Sequence, residues 1–201
     1  MLRTSCVLGT PGLSLSAPAL ASPLNLNLLT PDITSGFIVV NYNATTDVLQ
    51  ATGTALSLDF DGIAPPDHAI SGGSFSLTAN INASGSLVSG TLTIGGTVAA
   101  LGAGSPLLTA NLTQFGFSSS PLTQVFEFTA TVTGGSQAAA FGTTIGTILN
   151  LGGGFGGSFN SNFTNANFFG QAVADTARIP VPGTGVAAAG LALLARRGRR
   201  G

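Results

Sequence analysis

Four residues within ten positions carry most of what this chain offers to chemistry: Asp59, Asp61, Asp67 and His68. Asp59-Phe60-Asp61-Gly62 has the form that opens a calcium loop, because closely spaced carboxylates before a turn-making glycine can surround a hard cation. Such a loop needs further oxygens, and Ile63, Ala64, Pro65 and Pro66 supply none from their side chains. The reading carried forward is therefore two solvated carboxylates, Asp59 and Asp61, on the polar face of a strand that buries Leu58 and Phe60. Calcium held by the same pair is the alternative. His68 beside Asp67, with Ser71 near, has the residue types of a hydrolase. Sequence neighbours on a loop are not a triad, however, and no G-x-S-x-G elbow accompanies them. The glycine run at 152–157 lacks the lysine of a phosphate loop. No catalytic residue and no cofactor is expected.

The composition accounts for this poverty. Of 201 residues, 6% are charged, against about a quarter in an ordinary soluble domain. All seven acids lie between Asp32 and Asp175, while four of the six arginines fall at 196–200 and no lysine is present. A nucleic-acid partner is excluded on this count, since no arginine lies between Arg3 and Arg178 to neutralise phosphate. The lone Cys6 excludes a disulfide framework and a zinc–thiolate site. A chain that is 44% hydrophobic is not a disordered one. A non-enzymatic binding or structural protein fits these numbers.

The elements that must hold any site are read from alternation. Phe75, Leu77, Ala79 and Ile81 face one way and Ser74, Ser76, Thr78 and Asn80 the other, the period of a half-buried strand. The same period runs through Leu56, Leu58 and Phe60, through Leu108, Ala110 and Leu112, and through Phe126, Phe128, Ala130 and Val132 opposed by Glu127, Thr129, Thr131 and Thr133. Segments 37–42, 48–52 and 90–98 are further strands. Gly72-Gly73, Gly95-Gly96, the 102–106 stretch and Gly134-Gly135 read as the breaks between them. An echo of 76–82 at 107–113 predicts two similar strands facing one core. The fold expected is all-β, an antiparallel sandwich or barrel, with a β-solenoid as the minor alternative. Phe155, Phe159 and Phe163 recur at helical spacing, but the glycines around them favour strand and loop.

Both ends read as addresses. Arg3, an apolar stretch through Leu13 and Leu15, and Ala19-Leu20-Ala21 before Ser22 have the layout of a secretory signal peptide over residues 1–21. At the other end Pro180, Val181 and Pro182 precede an apolar run of Gly185, Val186, Ala187, Ala188, Ala189, Gly190, Leu191, Ala192, Leu193, Leu194 and Ala195, closed by Arg196, Arg197, Arg199 and Arg200. The 17 residues from 179 to 195 reach the lower limit of about 17–25 for a bilayer-crossing helix. The arginines are the flank that stays cytoplasmic. The expected organisation is thus a leader, a secreted β-rich domain at 22–178 and a sorting tail with one transmembrane helix at 179–201.

A Pro-x-Pro element, a small-residue apolar helix and a terminal arginine cluster together resemble the PEP-CTERM sorting signal of exported bacterial proteins. The resemblance covers the last 23 residues and matches Pro180 and Pro182 to the two prolines, with Val181 where the usual motif has Glu. It implies an exosortase-type processing enzyme as partner, membrane association through the tail, and a place at the cell surface or in the extracellular matrix. It implies nothing about the body, because sorting signals are grafted onto unrelated folds. For the body two readings stand: a structural or adhesive domain that meets matrix polysaccharide or other surface proteins, or a module binding an apolar or carbohydrate ligand.

Overall fold

A computed structural model describes residues 22–120, 123–167 and 171–180. Among these described residues ten strands form one sheet: β1 (Leu29–Asn43), β2 (Val48–Asp59), β3 (His68–Ala69), β4 (Ser71–Ile81), β5 (Leu87–Thr97), β6 (Leu108–Ser120), β7 (Thr123–Gly134), β8 (Thr144–Asn150), β9 (Phe163–Thr164) and β10 (Ala172–Arg178). Pairing runs β2-β4-β5-β6-β7-β8-β10-β1, and β1 pairs back onto β2. The sheet is therefore a closed antiparallel barrel of eight strands, with the two-residue β3 and β9 appended to β2 and β1. Closure settles the choice between sandwich, barrel and solenoid, and it leaves no long unpaired edge. The one α-helix described, α1 (Ala138–Phe141), is a single turn between β7 and β8.

Alternation does the sorting of residues that the sequence implies. Leu49 and Ala51, Phe75 to Ile81 in steps of two, Leu92 and Ile94, Leu108 and Ala110, Phe126 and Phe128, and Ile145 and Leu149 are all within 2% of full burial. They join in one cluster that fills the barrel. The echoed segments are β4 and β6, which flank β5 on either side and so run parallel to each other.

Three expectations fail for definite reasons. Leu56 does not share the inward side with Leu58, because a register shift between Ala55 and Ser57 against β1 turns it out to 38% exposure. Phe60 lies beyond the end of β2 and is 36% exposed, so Asp61 is a turn residue and not a strand partner of Asp59. Gly72-Gly73 and Gly95-Gly96 sit inside β4 and β5. A Cβ on Gly73 would collide with the Ala55 carbonyl oxygen, so glycine serves there as a close-approach residue between β2 and β4.

At one end of the barrel the described part of the loop after β8, residues 151–167, folds over the opening. Phe155 and Phe159, each at most 2% exposed, enter it and meet Phe126 and Tyr42 at ring separations of 4.9 and 5.0 Å. Asn165 pins the loop. Its Oδ1 accepts from Val40 N–H at 2.7 Å, and its Nδ2 donates to Ile38 and Leu151 carbonyls at 3.1 and 3.3 Å. Among its described residues the loop holds no helix, only the two-residue strand β9, as its glycines lead one to expect.

Candidate functional site

The end of the barrel opposite that loop carries the 60–70 connection, the start of β1 and the end of β10, and five of the seven acids gather there. Asp59, Asp61 and Asp67 bring one carboxylate oxygen each within 4.8 Å of the others. The backbone explains their proximity. Asp59 Oδ1 accepts from Asp61 and Gly62 N–H, both at 3.1 Å; Asp61 Oδ1 accepts from Ile63 N–H at 2.8 Å; Asp67 Oδ2 accepts from Phe60 N–H at 2.8 Å. These are side chains closing a turn, the ordinary local use of aspartate. A calcium ion takes about six to eight oxygens, and three turn-capping carboxylates on a loop whose Asp61 and Asp67 are exposed do not build that shell. His68, on β3, packs edge-on against the Phe60 ring at 5.9 Å. With the Asp67 oxygen committed to Phe60 N–H, the pair is not arranged as a base and its orienting acid.

A second acidic group lies on the seam where the first long strand, β1, meets the last, β10. Asp32 stands opposite Asp59 across β1 and β2, and diagonal to Asp175 on β10. The Oδ1 atoms of Asp32 and Asp175 are buried without a hydrogen-bond partner. Burial, then the charge of Asp32 and its hydrogen bond, push the Asp175 carboxyl up to about 6. Burial likewise raises Asp32, with Asp59 adding to the effect and the hydrogen bond to Asp175 opposing it. Two half-buried carboxyls this close oppose each other's ionisation, so that the pair holds a proton below about pH 6 and gives it up above.

The third feature was invisible to the strand reading. Glu127 is on the outward side of β7, where alternation predicts a wet residue, yet it is 7% exposed. Residues 22–28 run across β6, β7 and β8 as a strap and cover it. Its Oε2 accepts from Leu24 N–H at 2.6 Å and Asn25 N–H at 3.0 Å, and its Oε1 from Leu26 N–H at 3.1 Å. Two glycines let the strap lie flat. A Cβ on Gly116 would collide with the Ser22 carbonyl oxygen, and one on Gly146 would stand within 3.0 Å of Leu26, Leu28 and Ile179 side chains. The signal in the sequence was the alternation Leu24, Leu26, Leu28, half-buried in the structure with Asn25 and Asn27 outward.

Of the sorting residues, Pro180 is described and exposed; Val181, Pro182, the apolar run at 185–195 and the arginines at 196–200 lie outside the described residues, as does the leader. Among the described residues no helix is long and apolar enough to cross a membrane. The chain leaves the barrel after Arg178, and a cleft of about 600 Å³ opens beside that exit between α1, Leu29 and Pro180. No protein-family model, curated protein or solved structure matches the chain.

Proposed function

We propose that the chain is a non-enzymatic exported bacterial surface protein. A leader at 1–21 and a PEP-CTERM-like tail at 179–201 deliver and hold a barrel whose role is structural or adhesive. The observation that carries the reading is the filled interior. Eleven fully or nearly buried aromatic and aliphatic side chains from β4, β5, β7 and β8, with the Phe155 and Phe159 plug, occupy the space that a ligand-carrying barrel would keep open. The body therefore works through its outer surface.

The outer wall is suited to an uncharged partner. Across the register Asn41, Gln50, Thr78, Thr91, Asn111 and Thr131 stand side by side from β1 to β7. Thr52, Ser76, Thr93 and Thr109 form the neighbouring row. Amides and hydroxyls at strand spacing can exchange hydrogen bonds with the hydroxyls of a neutral matrix polysaccharide without desolvating a charge. Five of the seven acids stand apart from these rows, at the β1–β10 seam and the end of the barrel opposite the Phe155 and Phe159 plug.

Mass measurement on protein from its native cells, fractionated into cytoplasm, membrane, surface and medium, tests the sorting reading. The expected species lacks residues 1–21 and sits in the membrane or surface fraction, either whole at its C-terminus or ending near Pro182. A full-length cytoplasmic chain overturns the proposal.

A further inference from the structure

The strap and the C-terminal exit are packed against each other. Ile179, the residue before Pro180, shares the space above Gly146 with Leu26 and Leu28 of the strap. Arg178 is paired on both sides, to Leu29 on β1 and to Ile145 on β8. Peptide bonds are cut in extended segments whose backbone groups are free to pair with the protease, and Arg178 lies within the ladder between β1 and β8. The strap in turn is held by the three N–H bonds to Glu127 and by the bare backbone at Gly116.

We propose that residues 22–28 are a latch: by covering Ile179 they protect the junction between barrel and tail, so that processing enzymes reach only bonds before Ser22 and after Pro180. Its meaning for sorting rests on the export reading above; the latch itself does not. A leader cut at Ala21–Ser22 leaves the latch whole. A cut even a few residues further on removes the amides that Glu127 holds and exposes the tail junction to trimming.

Trypsin reads the latch directly, because Arg178 is the sole arginine between Arg3 and Arg196 and the chain has no lysine. In the purified full chain trypsin is expected to trim at Arg3 and within 196–200 while sparing the Arg178–Ile179 bond. In Glu127→Ala, and separately in the double variant Leu26→Ala with Leu28→Ala, the 178–179 cut becomes at least about tenfold faster, since cleavage follows the population of the locally opened form. Glu127→Gln, which keeps one acceptor oxygen, falls between. A variant of similar lowered melting temperature on the opposite wall, Ile94→Val, leaves the bond protected. The latch is overturned if wild type is cut at Arg178 as fast as at Arg196, if neither strap variant accelerates the cut, or if Ile94→Val accelerates it equally. Should Glu127→Ala not fold, the leucine pair decides. None of these outcomes depends on where the protein resides in its cell, which the fractionation experiment settles separately.

Discussion

Replacing Asp175 by Asn should stabilise the barrel at pH 8 and flatten its dependence on pH. The Asp175 carboxyl lies at about 6 in the fold against an ordinary 3.8, so the folded chain takes up a proton that the unfolded chain does not hold between those values. Stability from this group is greatest at the acid end of that window and is lost as the pH rises through about 6, where both Asp32 and Asp175 become charged across the β1–β10 seam. At about 1.4 kcal/mol per pH unit the gap sets a ceiling near 3 kcal/mol. Asp175 keeps part of its surface in water, and solvent screening reduces the figure to about 1–2 kcal/mol. Asn cannot ionise and donates a hydrogen bond to Asp32, which then carries its charge alone. Thermal unfolding followed by circular dichroism from pH 4.5 to 8.5 is the assay. Wild type should lose roughly 2–8 °C across the range relative to Asp175→Asn, with most of the change falling between pH 4.5 and 6 and little above pH 7. Parallel curves, or a variant less stable than wild type at pH 8, would refute the shared proton on the seam.

Other consequences are open to measurement. Asn165→Ala leaves the Val40 N–H and the Ile38 and Leu151 carbonyls without their amide partner, and chemical denaturation should show a loss of about 2–4 kcal/mol. Phe126→Ala opens a void among Phe115, Phe155 and Phe159 and should cost about 3–5 kcal/mol by the same method. Millimolar calcium should leave the melting temperature unchanged, since Asp59, Asp61 and Asp67 serve the turn; a saturable rise abolished by Asp59→Asn would restore the cation reading. Gly73→Ala drives a methyl into the Ala55 carbonyl and should lower the melting temperature more than Gly104→Ala, where a Cβ meets nothing within 4 Å.

Much of the barrel was legible because a strand writes its two environments into neighbouring residues. Phe75-x-Leu77-x-Ala79-x-Ile81 and Phe126-x-Phe128-x-Ala130 needed no partner strand to declare an inside and an outside. The echo of β4 in β6 was legible for the same reason, as both line one core. Where local register slips, the pattern misleads: Leu56 reads as core, and only the shift opposite Ser35 on β1 turns it outward. The glycine pairs in β4 and β5 misled differently, since a missing side chain has the same spelling in a turn and in a tight strand crossing.

The sequence by itself determined the all-β class, the inward and outward sets on most strands, the sparse and segregated charge, and the two end segments on which the export proposal rests. Those are properties of composition and short-range order. Only the tertiary structure decided that the sheet closes through β1 and β2, that Asp32 on the first strand faces Asp175 on the last, and that Glu127 lies beneath a strap about a hundred residues away in sequence. Each is a contact between distant segments, and its geometry depends on how many strands intervene and how each is staggered against the next. No local pattern encodes that count. The carboxylate beneath the strap and the proton shared across the seam belong to the closed barrel and to no single stretch of the chain.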